Sequence, residues 1–301
     1  MSLAPVLLAT LLWGAPPAAC ATTDLMPQFW EYWERAKGLD PSRQFRLFEE
    51  MVQKPNAAVY EGAFHGAPKP PSEFVPKTLA QVPELETRMG ELSRKLAADL
   101  PSELDAFRKA FPKFRCTVPV YFLFSGGAFD GATRDVSGKT ALLFGLDVIA
   151  RLNEELSPLV VHELFHVYHG EAVSEDPETI AWGLWQEGLA TYVSRKLNPN
   201  VAEQAVCCLP EIDAVKAELP RISTELLAAL DSKDRKTYAR FFLGGQELDI
   251  PARSGYYVGY LVAEEAGKTR SLEELAALSP GDARALEEKA LRRFAAGAAV
   301  R

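Results

Sequence analysis

Apolar positions fall into three regimes along the chain. From residue 24 to 115 they recur three and four apart, the spacing of one helix face. Phe29, Trp30, Tyr32 and Trp33 stand among charges over 24–36, which predicts a short amphipathic helix. Asp40-Pro41 opens a second, running to about Gln53. Residues 54–76 are rich in Pro and Gly and read as a long connection, with His65 a solvated loop histidine. Leu79, Val82, Leu85, Met89, Leu92 and Leu96 then mark helices over 77–110, divided at Pro101.

The pattern changes at 111–116. Thr117 to Ser125 is a run of β-branched and aromatic residues, a strand signal ended by Gly126-Gly127. Residues 128–139 read as a polar loop, and Thr140 to Leu146 as a second strand. The third regime is helical. Ser157 suits an N-cap, Pro158 the first helical position and Gly170 the stop of a buried helix. Asp176-Pro177 reads as the start of the next, which contains Trp185 to Tyr192. Beyond it the chain looks helical to its end, with a capping box at Ser271-x-x-Glu274, a start at Ser279-Pro280 and a terminal amphipathic segment over 284–300. The expectation is an α+β, mostly helical protein, with a leader over 1–21, a helical region over 22–115 and a chemistry-bearing region over 116–301.

Composition adds limits. With 48% hydrophobic and 25% charged residues among 301, the chain can bury a large core. Its net charge of −8 and the absence of a Lys/Arg run argue against nucleic acid and anionic membranes as partners. Leu3 to Trp13 is an apolar run too short to span a bilayer, and Ala19-Cys20-Ala21 offers small residues for cleavage after Ala21. That predicts an exported protein, periplasmic or extracellular, with a lipid anchor on Cys20 as the variant form. No later segment is apolar enough to span a membrane. Export would expose Cys116, Cys207 and Cys208 to oxidation, and a bridge from Cys116 to Cys207 or Cys208 is expected.

The densest chemistry is His162-Glu163-Leu164-Phe165-His166. Each helical residue advances about 100°, so the two histidines share a face one turn apart. Two imidazoles there can bind Zn²⁺ at about 2.0–2.1 Å, leaving Glu163 beside the metal as general base. Glu187, 21 positions after His166, is the candidate third ligand. Gly188 follows it. Interior helical glycine costs about 1 kcal/mol against alanine, and the expected return is close approach of this helix and the histidine helix near the metal.

H-E-x-x-H followed by this E-G-x-A-like helix resembles the gluzincin group of zinc metallopeptidases. The fuller pattern, His162 to His169 with Trp185 to Tyr192, looks like a bacterial branch of predicted zinc-dependent proteases. The likeness covers 140–195 well and 250–262 loosely. The metzincin pattern is absent, since Ala172 stands where its third histidine would. The resemblance implies a thermolysin-like core with a small sheet before the active-site helix and a helical C-terminal part. It implies Zn²⁺ on His162, His166 and Glu187, Glu163 as base, and a peptide or protein substrate. It also implies an edge strand that pairs with extended substrate, which by position is 140–146 with Leu142 and Phe144, and an oxyanion donor on a later helix. Tyr256, Tyr257 and Tyr260 are candidates for that donor; Tyr256 and Tyr260 share a face. His169 is expected to line the pocket, and Arg253 to bind a substrate carboxylate or to be solvated. Two other classes stay open: a non-peptidase zinc hydrolase, and an exported binding or structural protein that inherited the site.

Overall fold

A four-stranded mixed sheet carries the helices. The structure is a computed structural model, and it describes residues 20–67, 69–243 and 249–297. The expected leader therefore lies outside the described residues except for Cys20 and Ala21. The strands are β1 (Thr22–Asp24), β2 (Val120–Leu123), β3 (Gly131–Val136) and β4 (Lys139–Gly145), in the order β1-β2-β4-β3. The β1/β2 and β2/β4 pairs are parallel; β3 and β4 form an antiparallel hairpin with Gly131 opposite Phe144.

Two expectations change here. The supposed polar loop 128–139 contains β3, whose alternation of Ala132 and Val136 with Thr133 and Asp135 suits an outer strand. The supposed edge, 140–146, is the interior strand β4, with Leu142 and Phe144 both 0% exposed. A strand apolar at nearly every position must be covered on both faces. The outer strand on that side is β3.

The turn after β2 sets where β3 begins. The buried Asp147 carboxylate accepts from Ser125 N at 2.6 Å and Gly127 N at 2.7 Å. Gly126 and Gly127 have φ of +65° and +90°, and a Cβ on Gly126 would stand 2.7 Å from Val75 Cγ2.

Among the described residues, five α-helices precede β2: α1 (Met26–Ala36), α2 (Pro41–Phe48), α3 (Ala57–Phe64), α4 (Pro71–Leu79) and α5 (Val82–Ala110), with short π and 3-10 turns over 49–56 joining α2 to α3. The expected connection 54–76 is thus mostly helical, because Ala57–Phe64 is nearly all apolar and Pro71 begins a helix rather than ending one. Pro101 lies inside α5 instead of dividing it. Leu92, Leu96, Leu100, Leu104 and Phe107 form one buried stripe across it, and burying both halves in one core outweighs the lost hydrogen bond. That core is continuous past β2, as the stacked rings of Phe29 and Phe124 show, with centroids 4.4 Å apart.

After the sheet come α6 (Leu146–Leu152), α7 (Leu156–Ala172) and α8 (Ile180–Leu197). Helix α7 starts before Ser157, whose hydroxyl donates to Asn198 Oδ1 at 2.6 Å, and passes through Gly170. Helix α8 is capped by Thr179, which accepts from Trp182 N, rather than by Asp176. The remainder is α9 (Glu203–Val206), α10 (Ile212–Ala217), α11 (Leu219–Ala229), α12 (Arg235–Phe242), α13 (Ser254–Ala266), α14 (Leu272–Ala276) and α15 (Pro280–Ala295). Ser271 and Glu274 form the expected capping box, and Ser279 caps α15. No described helix is long and apolar enough to cross a membrane.

Cys116 bridges Cys20, not Cys207 or Cys208, which are free. Parallel pairing of β1 with β2 brings the two partners together, which no local pattern announced. A bridged Cys20 sulfur cannot also carry a lipid, and cleavage after Ala21 would remove it.

On α15, Glu287 is fully buried with neither carboxyl oxygen hydrogen-bonded. Burial pushes its pKa well above the usual carboxylate value, opposed only by Arg284. The folded chain thus holds a proton that the unfolded chain releases, so this residue's contribution is intact below about pH 4.3 and is lost as pH rises. We expect Glu287→Met to stabilise the protein at neutral pH by about 1–3 kcal/mol, and to flatten the decline of stability between acid and neutral pH. Thermal melts of both proteins across that range check it; an unchanged or lowered neutral-pH midpoint refutes it.

Candidate metal centre

Helix α7 is apolar on most of its surface, with Val160, Val161, Leu164 and Phe165 essentially inaccessible. His162 and His166 project from one side of it, one turn apart. Helix α8 packs beside α7 and presents Glu187 to them.

His162 Nε2 lies 3.1 Å from Glu187 Oε2, His166 Nε2 lies 3.4 Å from the same oxygen, and the two Nε2 atoms are 3.0 Å apart. The three side chains are only 12–18% exposed. Two imidazoles and one carboxylate are a zinc donor set, and ligands about 2.05 Å from a tetrahedral centre stand about 3.3 Å from each other. The observed triangle fits that spacing. Burial pulls the His166 pKa down, but the Glu187 carboxylate outweighs it and the value rises to about 9. Burial raises the Glu187 pKa, and the two imidazoles more than reverse this, holding it far below the usual range. The Glu187 carboxylate is thus held ionised, where it favours positive charge on or between the two imidazoles.

Glu163 lies beside this triangle. It is 6% exposed, and burial raises its pKa against the pull of His166 and His162. Gly131, the first residue of β3, packs on it so closely that a Cβ there would stand 2.7 Å from Glu163 Oε1. The outer strand of the sheet therefore begins against the candidate base.

Gly188 has a role other than the one expected. A Cβ on it would meet the backbone of Gly259 in α13 at 2.2 Å, and a Cβ on Gly259 would meet Leu184 O at 2.4 Å. The close approach is between α8 and α13, not between α8 and α7. It carries α13, and Tyr256 with it, up to His162. The Tyr256 ring lies 6.0 Å from the His162 ring at 27°. Burial, then the Glu187 carboxylate, push its pKa well above 10. Tyr257 instead packs on Tyr260 and under Lys216, and the Tyr260 hydroxyl donates to Glu264 at 2.8 Å.

A cleft of about 1190 Å³ opens over the site, lined among others by Asp130, Gly131, Arg134, His166, Glu187 and Tyr256. Arg253 lines it too, half-buried rather than solvated. Among the described residues, none before Gly127 lines it. His169 does not reach it: the ring is buried between Phe165 and Trp182, and burial lowers its pKa to about 4. Leu142 and Phe144 face the core. Sequence reasoning missed Asp130, Gly131 and Tyr238. Tyr238 lines the cleft, and its pKa is raised by burial and then by Glu187. It comes from α12, distant in the chain and patterned as an ordinary charged surface helix, so no local signal marked it.

The fold and site define an α+β, mostly helical protein whose H-E-x-x-H helix and following glutamate form a group that could hold a metal ion. The chain belongs to the family described as predicted Zn-dependent protease (DUF2268), whose family model matches residues 130–282. That span begins at Asp130 and takes in every residue of the centre. No curated protein and no solved structure matches the chain.

Proposed function

We propose that this protein is a zinc-dependent hydrolase of peptide bonds, working in the manner of a gluzincin. The observation that carries the reading is the approach of His162, His166 and Glu187 to within 3.4 Å of one another beside the buried Glu163. Zinc on those three residues would supply Lewis acidity to a water and to the scissile carbonyl. Glu163 takes the proton of the attacking water and passes it to the leaving nitrogen. Tyr256 donates its hydroxyl hydrogen to the oxyanion as charge develops there. The backbone at the start of β3, the outer strand that begins at the base, pairs with an extended substrate. This role moves from 140–146 to 131–134, because Gly62 of α3 packs on the Asp135 carbonyl.

Elemental analysis together with a peptide-library digest tests the reading. Zinc should co-purify, and cleavage should vanish on chelation and return with zinc. A zinc-loaded sample that cuts no peptide would leave a non-peptidase hydrolase.

Export is proposed as well. The Cys20–Cys116 bridge supports it, because disulfides persist in oxidising compartments. Cleavage then falls before Cys20, and N-terminal sequencing of exported material should find Cys20 retained. A chain that begins at Thr22 would overturn this.

A further inference from the structure

Arg253 occupies a position that its backbone disfavours. Its φ is 57°, in the left-handed region where glycine is at ease and longer side chains are strained. Strain of this kind persists only where the surroundings hold it. Here the side chain does the holding. Its guanidinium lies 4.7 Å from the centroid of the Tyr256 ring. Its Nη1 lies 3.3 Å from Asp130 Oδ2 and 3.9 Å from Glu154 Oε1. Asp130 immediately precedes Gly131, which packs on Glu163, and the Tyr256 ring itself lies against His162. One side chain thus joins the start of β3, Glu154 just after α6 and the phenol beside His162.

We propose that Arg253 is a positioning residue: stacked on Tyr256 and anchored by Asp130, it locks the phenol against His162 and fixes α13 to the first residue of the substrate-pairing strand. The alternative, capture of a substrate carboxylate, conflicts with the charge balance. Burial, then Asp130, raise the Glu154 pKa to about 9, so at neutral pH Glu154 is uncharged and the Arg253 cation is matched by the Asp130 anion. Its charge is already committed within the protein. The kinetic consequence rests on the peptidase reading; the placement of the ring does not.

Two variants test it. Arg253→Gly removes the guanidinium while relieving the backbone, so the fold is retained. Arg253→Lys keeps the charge and loses the planar face. The first measurement is NMR of the zinc-loaded protein with ring-¹³C tyrosine, in which Tyr256→Phe assigns the Tyr256 signal. That signal should move in both variants. The second is kinetics on the best library peptide. Tyr256→Phe should lower kcat about 10²-fold. Arg253→Gly should lose a large part of that factor with KM within about two-fold, and should add nothing in the Tyr256→Phe background. An unmoved Tyr256 signal, additive losses, or a raised KM with kcat preserved would each overturn the proposal, the last by making Arg253 a substrate contact. If no peptide is cleaved, the peptidase reading fails and the NMR result still decides the placement.

Discussion

Glu163→Gln is expected to abolish hydrolysis while the protein keeps its zinc. Glutamine is nearly the size of glutamate, so it fits the space between α7 and Gly131, where a single added Cβ would already clash. Its amide cannot accept the proton of the attacking water. General-base loss costs about 10²–10⁴-fold, and more when the same group also protonates the leaving nitrogen. The ligand triangle is made by His162, His166 and Glu187, so metal content should hold. Wild-type turnover in the variant would refute the mechanism. Loss of zinc would show that Glu163 binds or supports the metal instead.

Gly188→Ala is expected to damage fold and metal site together. The added Cβ would stand 2.2 Å from a backbone carbon of Gly259, and backbone inside a helix cannot swing aside as a side-chain tip can. Helices α8 and α13 must part, which places the cost at the top of the roughly 1–3 kcal/mol range for overpacked cores, or above it. Glu187 is the neighbouring residue, so the ligand triangle opens as well and zinc affinity falls. Gly170→Ala is the natural control. It lies within α7 with nothing within 4 Å of an added Cβ, and alanine should stabilise the helix there by about 1 kcal/mol. Chemical denaturation and zinc titration of the two variants check this. Equal midpoints for Gly188→Ala and the parent would remove the glycine contact from the account.

The sequence by itself determined what depends on local period. Helical spacing puts His162 and His166 on one face, the apolar remainder of that helix demands burial, and capping chemistry marks Ser271 and Ser279. Glu187 was legible from its place 21 residues after His166 and from the likeness of its helix to an E-G-x-A pattern, while the glycine beside it packs on α13 rather than on the histidine helix. Only the tertiary structure decided what depends on contacts between distant segments. A continuous apolar run can mark 140–146 as a strand but cannot say which neighbours it takes, and β2 and β3 both pair with it. Three tyrosines on one short helix look alike in sequence, and the contact of Gly188 with Gly259 selects Tyr256 for the metal side. Cys20 meets Cys116, 96 residues further along the chain, because β1 pairs in parallel with β2. Arg253 is an ordinary cation until its backbone is seen in the left-handed region and its partners prove to be Asp130 and Tyr256. In each case the deciding energy is a clash or a buried pairing between residues that share no local period, and it becomes visible only when the chain has closed on itself.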